Sequence, residues 1–214
     1  MKQYLFFDLD GTVTDSKQGI IRSVQHALTY FNIARADEDL LYFIGPPLRD
    51  SFGKLFDGDA AKAELAVKKY REYYSVKGIF ENALYDGIAD LLADLRAAGR
   101  VVSLATSKPE PFALRILEHF GIAGVFDHVA GAELTGPRNS KTSVLRYACG
   151  LCNVADMESC LMVGDREYDV LGAHAVGMPC AGVLYGYGSR GELEQAGADS
   201  LCADVPALRQ LLLA

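Results

Sequence analysis

Six short, nearly unbroken apolar runs constrain the fold of this chain more than any other feature. They span residues 4–9, Val101–Thr106, His128–Gly131, Cys160–Gly164, Pro179–Tyr185 and Ser200–Ala203. Runs of this length without polar alternation suit strands covered on both faces, as in a parallel sheet. The stretches between them keep helical spacing. Gly87–Ala98 places Ile88, Leu91, Leu92 and Leu95 three and four apart, and Gly99 stops it. Pro109–Phe120 repeats the pattern before Gly121, and residues 141–151, 166–176 and 189–196 continue it. Strands alternating with helices predict an α/β fold with a parallel sheet and right-handed crossovers.

Residues 16–82 break that alternation. No buried run occurs there. Ile20, Ile21, Val24, Ala27, Leu28 and Phe31 keep helical spacing, as do Leu65, Val67, Tyr70, Tyr73 and Tyr74, with Gly45-Pro46-Pro47 interrupting between them. The segment reads as a helical insert, so the expected domains are 1–15 with 83–214, and 16–82. Ser16–Gly19 and Gly78–Gly87 are the expected hinges. Its aromatic residues read as core packing at helical spacing rather than as a stacking surface.

Composition removes several classes. Of 214 residues, 50% are hydrophobic and 23% charged, which excludes a disordered chain. No apolar run reaches the ~18–20 residues of a membrane span, and Asp8 cuts the N-terminal run too early for a signal peptide. A cytoplasmic location is expected. The net charge of −7 gives no general attraction for a nucleic acid polymer. Five cysteines, an odd number, read as reduced thiols. Cys149-x-x-Cys152 lacks the second ligand pair of a zinc site, and the four histidines match no metal spacing.

The informative residues are the charges that interrupt apolar runs. Asp8 and Asp10 close the first run, and Gly11 lets the backbone turn there. Residues i and i+2 of a strand share a face, roughly 6.5–7 Å apart. Both acids therefore point beyond the C-terminal end of the strand, where parallel sheets bind ligands. Asp165 follows the Cys160–Gly164 run at the same edge, and Asp169 falls in the first turn of the next helix. Either of these alone reads as a helix cap. Together the carboxylates repel unless a cation sits among them, and hard oxygen ligands suit Mg²⁺. Thr106 and Ser107 end the Val101 run at a helix start, where hydroxyls and N–H groups can hold an anion. Lys141 enters a helix from a polar loop; it gains weight only from the acids and hydroxyls of neighbouring loops. Gly186-Tyr-Gly-Ser-Arg-Gly191 matches G-x-G-x-x-G formally but comes too late for a dinucleotide half-domain, and reads as a strand-to-helix turn.

These residues resemble the haloacid dehalogenase superfamily of phosphohydrolases. The four motifs stand in order: Asp8-Leu-Asp10-Gly11-Thr12-Val-Thr-Asp15-Ser16, then Thr106 in Ala105-Thr-Ser-Lys-Pro109, then Lys141, then Gly164-Asp165-Arg-Glu-Tyr-Asp169. The resemblance spans essentially the whole chain and implies a Rossmann-like core with a helical C1-type cap. Phe43-Ile-Gly-Pro-Pro-Leu48 and Gly182-Val-Leu-Tyr-Gly-Tyr-Gly188 resemble the phosphoglycolate phosphatase-like branch, including its 5′-nucleotidases. It implies a Mg²⁺-dependent phosphatase of a small phosphorylated metabolite. Asp8 would be the nucleophile and Asp10 the acid and base. Asp8, Asp10 through its backbone carbonyl, Asp165 and Asp169 would serve the metal. Thr106, Ser107 and Lys141 would hold the phosphoryl group. Gly45, Pro46 and Arg49 of the cap would meet the rest of the substrate. Asp10 also separates this chain from the dehalogenases, which lack an acid there. A phosphomutase is the neighbouring enzymatic reading; a non-catalytic phosphate-binding module is the alternative of another class. Nothing in the sequence sets the oligomeric state.

Overall fold

Tyr4–Phe7 form β1, and its burial explains its composition. Leu5, Phe6 and Phe7 are all buried, because β1 lies between two parallel neighbours and under side chains on both faces. Burying one such side chain stabilises the fold by about 1.5–3 kcal/mol. The other strands of its sheet are β2 (Val101–Pro109), β3 (His128–Ala132), β4 (Cys160–Gly164), β5 (Cys180–Val183) and β6 (Ser200–Cys202). Their order in the six-stranded parallel sheet is β3-β2-β1-β4-β5-β6. The chain builds outward from β1 on one side, then returns to build outward on the other. Such a reversal opens a crevice beyond the strand ends, here beside β1.

The computed structural model describes residues 2–214, which divide into two units. One runs to Thr14 and resumes from Leu84 to Ala214; the other is Asp15–Ala83. The first holds the sheet with helices α4 (Ile88–Ala97), α5 (Glu110–His119), α6 (Lys141–Leu151), α7 (Glu167–His174), α8 (Arg190–Ala196) and α9 (Val205–Leu213). A core under α6, α7 and α8 gathers Phe6, Ala105, Val144, Leu145, Met162, Val170 and Leu193. Ser140 caps α6 reciprocally with Ser143, which fixes Lys141 as the first helical residue.

The helical unit contains α1 (Lys17–Tyr30), α2 (Leu48–Leu55) and α3 (Ala60–Tyr74). Both α1 and α2 pack on α3. Ile20, Val24 and Leu28 supply the buried stripe of α1; Ala66, Val67, Tyr70 and Tyr74 supply that of α3. Phe43 and Phe52 meet edge-on at 4.7 Å between ring centres, both fully covered.

The predicted end of β2 at Thr106 is corrected. The strand continues to Pro109, with a register shift against β3 between Thr106 and Pro109. Such an irregularity re-aims side chains at the end of a strand. Here Thr106 and Lys108 are buried and Ser107 is half-buried.

Candidate functional site

Four carboxylates and two ammonium groups collect where β1, β2 and β4 end. Asp8, Asp10, Lys108, Lys141, Asp165 and Asp169 are all buried. Asp8 sits one residue beyond β1, and its N–H donates to Val163 O at 2.9 Å, which continues the β4 pairing. Asp10 lies past the strand in the turn, where Gly11 takes a positive φ of 85° and its N–H donates to Thr14 O at 2.8 Å. Each acid meets an ammonium group. Asp8 Oδ1 lies 2.9 Å from Lys141 Nζ, whereas Asp10 Oδ2 lies 2.8 Å from Lys108 Nζ.

Lys141 bridges three elements. Its ammonium is 2.7 Å from Asp169 Oδ1 as well as 2.9 Å from Asp8, and it donates to Ala105 O at 2.9 Å. Burial opposes its charge, but Asp169 and Asp8 outweigh that and raise its pKa. It is a fixed cation at any physiological pH. Asp169 divides its two oxygens. Oδ2 accepts from Arg166 N at 3.1 Å, capping α7, while Oδ1 faces Lys141. Asp169 thus caps α7 through one oxygen and meets Lys141 through the other.

Asp165 is fully covered. Its Oδ2 accepts the Tyr187 N–H at 2.7 Å, and Thr12 Oγ1 lies 3.5 Å from Oδ1. Burial raises its pKa well above the ordinary carboxylate range, and Asp169 and Asp8 raise it further. Burial likewise pushes Asp169 up to about 6, with Lys141 opposing and Asp8 adding to the rise. Both shifts have one physical origin: negative charges crowded in a space without water.

Those shifts bear on a metal. One oxygen each from Asp8, Asp165 and Asp169 lies within 4.8 Å of the others. Against four carboxylates the buried cluster holds two ammonium groups, and without a further cation the two surplus charges are relieved by proton uptake, the direction in which Asp165 and Asp169 are shifted. A divalent cation on hard oxygen ligands would cancel them, so the residues present fit Mg²⁺. The Asp10 carboxylate is not one of the three; it is turned to Lys108.

Thr106 is buried with its Oγ1 accepting from Lys108 N at 3.2 Å. Lys108 is the residue that the sequence reading passed over. A lysine just after an apolar run reads as a solvated surface charge, whereas this one lies within the register shift of β2, buried against Asp10. In the helical unit, Arg49 is committed to Glu64, with Nε 2.9 Å from Oε2. A cavity of about 390 Å³ in that unit is lined by Asp15, Lys17, Gln18, Arg22, Asp37 and Glu81 among others, and not by Gly45, Pro46 or Arg49. The cysteines are free thiols, and burial pushes Cys149 up to about 12. Among the described residues no helix is long and apolar enough to cross a membrane.

With this geometry in hand, comparison with known proteins defines the class. Residues 5–183 match the haloacid dehalogenase-like hydrolase family, and the chain belongs to it. A 5′-nucleotidase of Pseudomonas aeruginosa is 44% identical over 97% of this chain and 94% of its own length. The tyrosine-protein kinase PtkA of Mycobacterium tuberculosis is 45% identical over 87% of this chain, which spans 63% of that protein. A phosphoglycolate phosphatase of Colwellia psychrerythraea is 29% identical over 92% of this chain and 90% of its own length. The crystal structure of a predicted phosphatase from Clostridium acetobutylicum superposes with a TM-score of 0.96 at 43% identity, covering 100% of this chain and 99% of that one.

Proposed function

We propose that this chain hydrolyses phosphate monoesters of small metabolites, using Asp8 as nucleophile and Mg²⁺ as cofactor. It is a phosphatase of the haloacid dehalogenase-like family. The observation that carries the catalytic reading is the divided charge at the end of β1: Asp8 faces Lys141, while Asp10 faces Lys108. Asp8 Oδ attacks phosphorus and the ester oxygen leaves, giving an aspartyl-phosphate. Asp10 donates a proton to the leaving oxygen, then takes one from the water that hydrolyses the intermediate. Lys141, with Thr106 and Ser107, stabilises the charge on the transferred oxygens. Mg²⁺ would be held by Asp8, the Asp10 carbonyl and Asp165, where it offsets negative charge between nucleophile and phosphate. Asp169 orients Lys141 or meets the metal through water; its 2.7 Å approach to the lysine supports the first. The helical unit Asp15–Ala83 corresponds to the cap that the family resemblance implies.

Nucleoside 5′-monophosphates are the first substrate class, since the 5′-nucleotidase relative at 44% identity lies nearer than the phosphoglycolate phosphatase at 29%. The similarity to PtkA supports a second reading, in which a hydroxyl rather than water receives the phosphoryl group. A phosphate-release screen over nucleotides, phosphoglycolate and sugar phosphates tests the first, and transfer of labelled phosphate from a nucleoside triphosphate to a tyrosine hydroxyl tests the second, each with Asp8→Asn beside the wild type. Asp8→Asn is expected to lower turnover by more than about 10³-fold while the protein still folds. Release at the wild-type rate by that variant removes the nucleophile assignment.

A further inference from the structure

The stretch Tyr185–Gly188, between β5 and α8, has no role in the mechanism above, yet each of its four residues closes on the site. The Tyr187 N–H donates to Asp165 Oδ2 at 2.7 Å. The Tyr185 hydroxyl donates to Thr12 O at 3.0 Å, and its ring meets Tyr85 edge-on at 4.8 Å. Gly186 passes so close that a Cβ there would run into Gly11 O and the Asp165 side chain. A Cβ on Gly188 would run into Asp165 O. Neither glycine has a positive φ among the backbone conformations recorded for this chain, so closeness and not dihedral freedom selects them.

We infer that Tyr185–Gly188 is a clasp that sets how Asp165 is presented to a divalent cation. The inference rests on the metal reading of Asp8, Asp165 and Asp169 proposed above. A carboxylate free to rotate can offer one oxygen or two. An N–H fixed on Oδ2 pins its plane and favours presentation through a single oxygen. Partners of this kind, which touch the ligand and not the metal, govern affinity through orientation. The Tyr185 hydroxyl ties the same stretch to the turn that carries Asp10, so both halves of the site share one anchor. Burial raises the pKa of this phenol, so it stays a donor at neutral pH. Tyr185, Gly186, Tyr187 and Gly188 are positioning residues.

The test measures Mn²⁺ binding to the full chain by electron paramagnetic resonance of the free ion. Melting of the metal-free protein and the Mg²⁺ dependence of phosphate release are followed in parallel. Gly186→Ala is expected to weaken Mn²⁺ binding by about 10–100-fold. Tyr185→Phe, which removes one hydroxyl, is expected to weaken it by about 2–10-fold, with the Mg²⁺ concentration for half-activation raised in step and kcat at saturating Mg²⁺ kept. Gly191→Ala, in α8 with no atom closer than 4.0 Å to the new methyl, should bind as wild type. Wild-type Mn²⁺ affinity in both clasp variants overturns the inference. If Gly186→Ala does not fold, Tyr185→Phe decides alone. Wild-type binding that Asp165→Asn leaves untouched fails the metal reading itself, which separates the two failures.

Discussion

The ion pairs at the sheet edge and those on the helical unit use the same residue types to opposite ends. Lys141, Asp8 and Asp169 leave only 4%, 8% and 1% of their side chains exposed. Arg49 and Glu64 leave 59% and 57% exposed at a similar 2.9 Å separation. Water and salt screen the second pair, which contributes about 0–1 kcal/mol. The first set has paid several kcal/mol of desolvation per charge and still carries surplus negative charge. A fold that wanted only stability would fill that space with apolar side chains. Retained buried charge is the observation on which the proposed catalytic site rests, and the surface pairs offer none of that kind.

Substitutions can break this contrast, the largest effect first. Asp10→Asn should slow hydrolysis by about 10²–10⁴-fold, most with alkyl phosphates, whose leaving oxygen needs a proton. Equal losses on aryl and alkyl esters, measured as kcat/KM, would deny it the acid role. Gly172→Ala acts one step further out. A Cβ on this α7 residue would lie 2.6 Å from Lys141 Cγ, so the lysine must shift. Lys141 Cβ at 2.8 Å and Thr142 N at 3.3 Å crowd the methyl too, so turnover should fall by about 10²-fold and the melting temperature should drop with it.

The contrast also has a pH signature. Asp165 and Asp169 have raised folded pKa values, so the metal-free folded state binds more protons than the unfolded chain. Stability from these groups is full below the unfolded carboxylate range and is lost as pH rises through the folded value, about 6 for Asp169. Metal-free protein should therefore melt lower at pH 7 than at pH 5 relative to Asp165→Asn, whose curve is flatter. Saturating Mg²⁺ should remove the difference. Scanning calorimetry across that range reads the sign directly. The smallest effect is Arg49→Ala, expected to change stability by less than about 1 kcal/mol. A raised KM in that variant would return Arg49 to the substrate; an unchanged KM leaves it a surface pair.

The legibility of the site follows the same division. Asp8, Asp10 and Asp165 stand out in sequence because each interrupts an apolar run at its C-terminal end. The spacing of β1 to the later strands could be read because parallel strands need long, helix-sized connections. Lys108 could not be read. It lies in an irregular stretch of β2 that ends at Pro109, and the proline announces the irregularity but not which side chain it buries. The role of Tyr187 was hidden for another reason: it contributes a backbone N–H, which every residue but proline owns. Gly186-Tyr-Gly188 reads as a strand-to-helix turn and lies between β5 and α8, but its closeness to Asp165 is visible only in the fold.

The sequence by itself determined the alternation of strands and helices, the break at the helical insert, and which acids lie at strand ends. Those are local properties, set by which side chains can be buried at which period. The tertiary structure alone decided who meets whom: Lys108 with Asp10, Lys141 with Asp8 and Asp169, Tyr187 N–H with Asp165. Their partners come from segments far apart in the chain, and only the strand order that places β1 between β2 and β4 brings them within reach of Coulomb and hydrogen-bond forces.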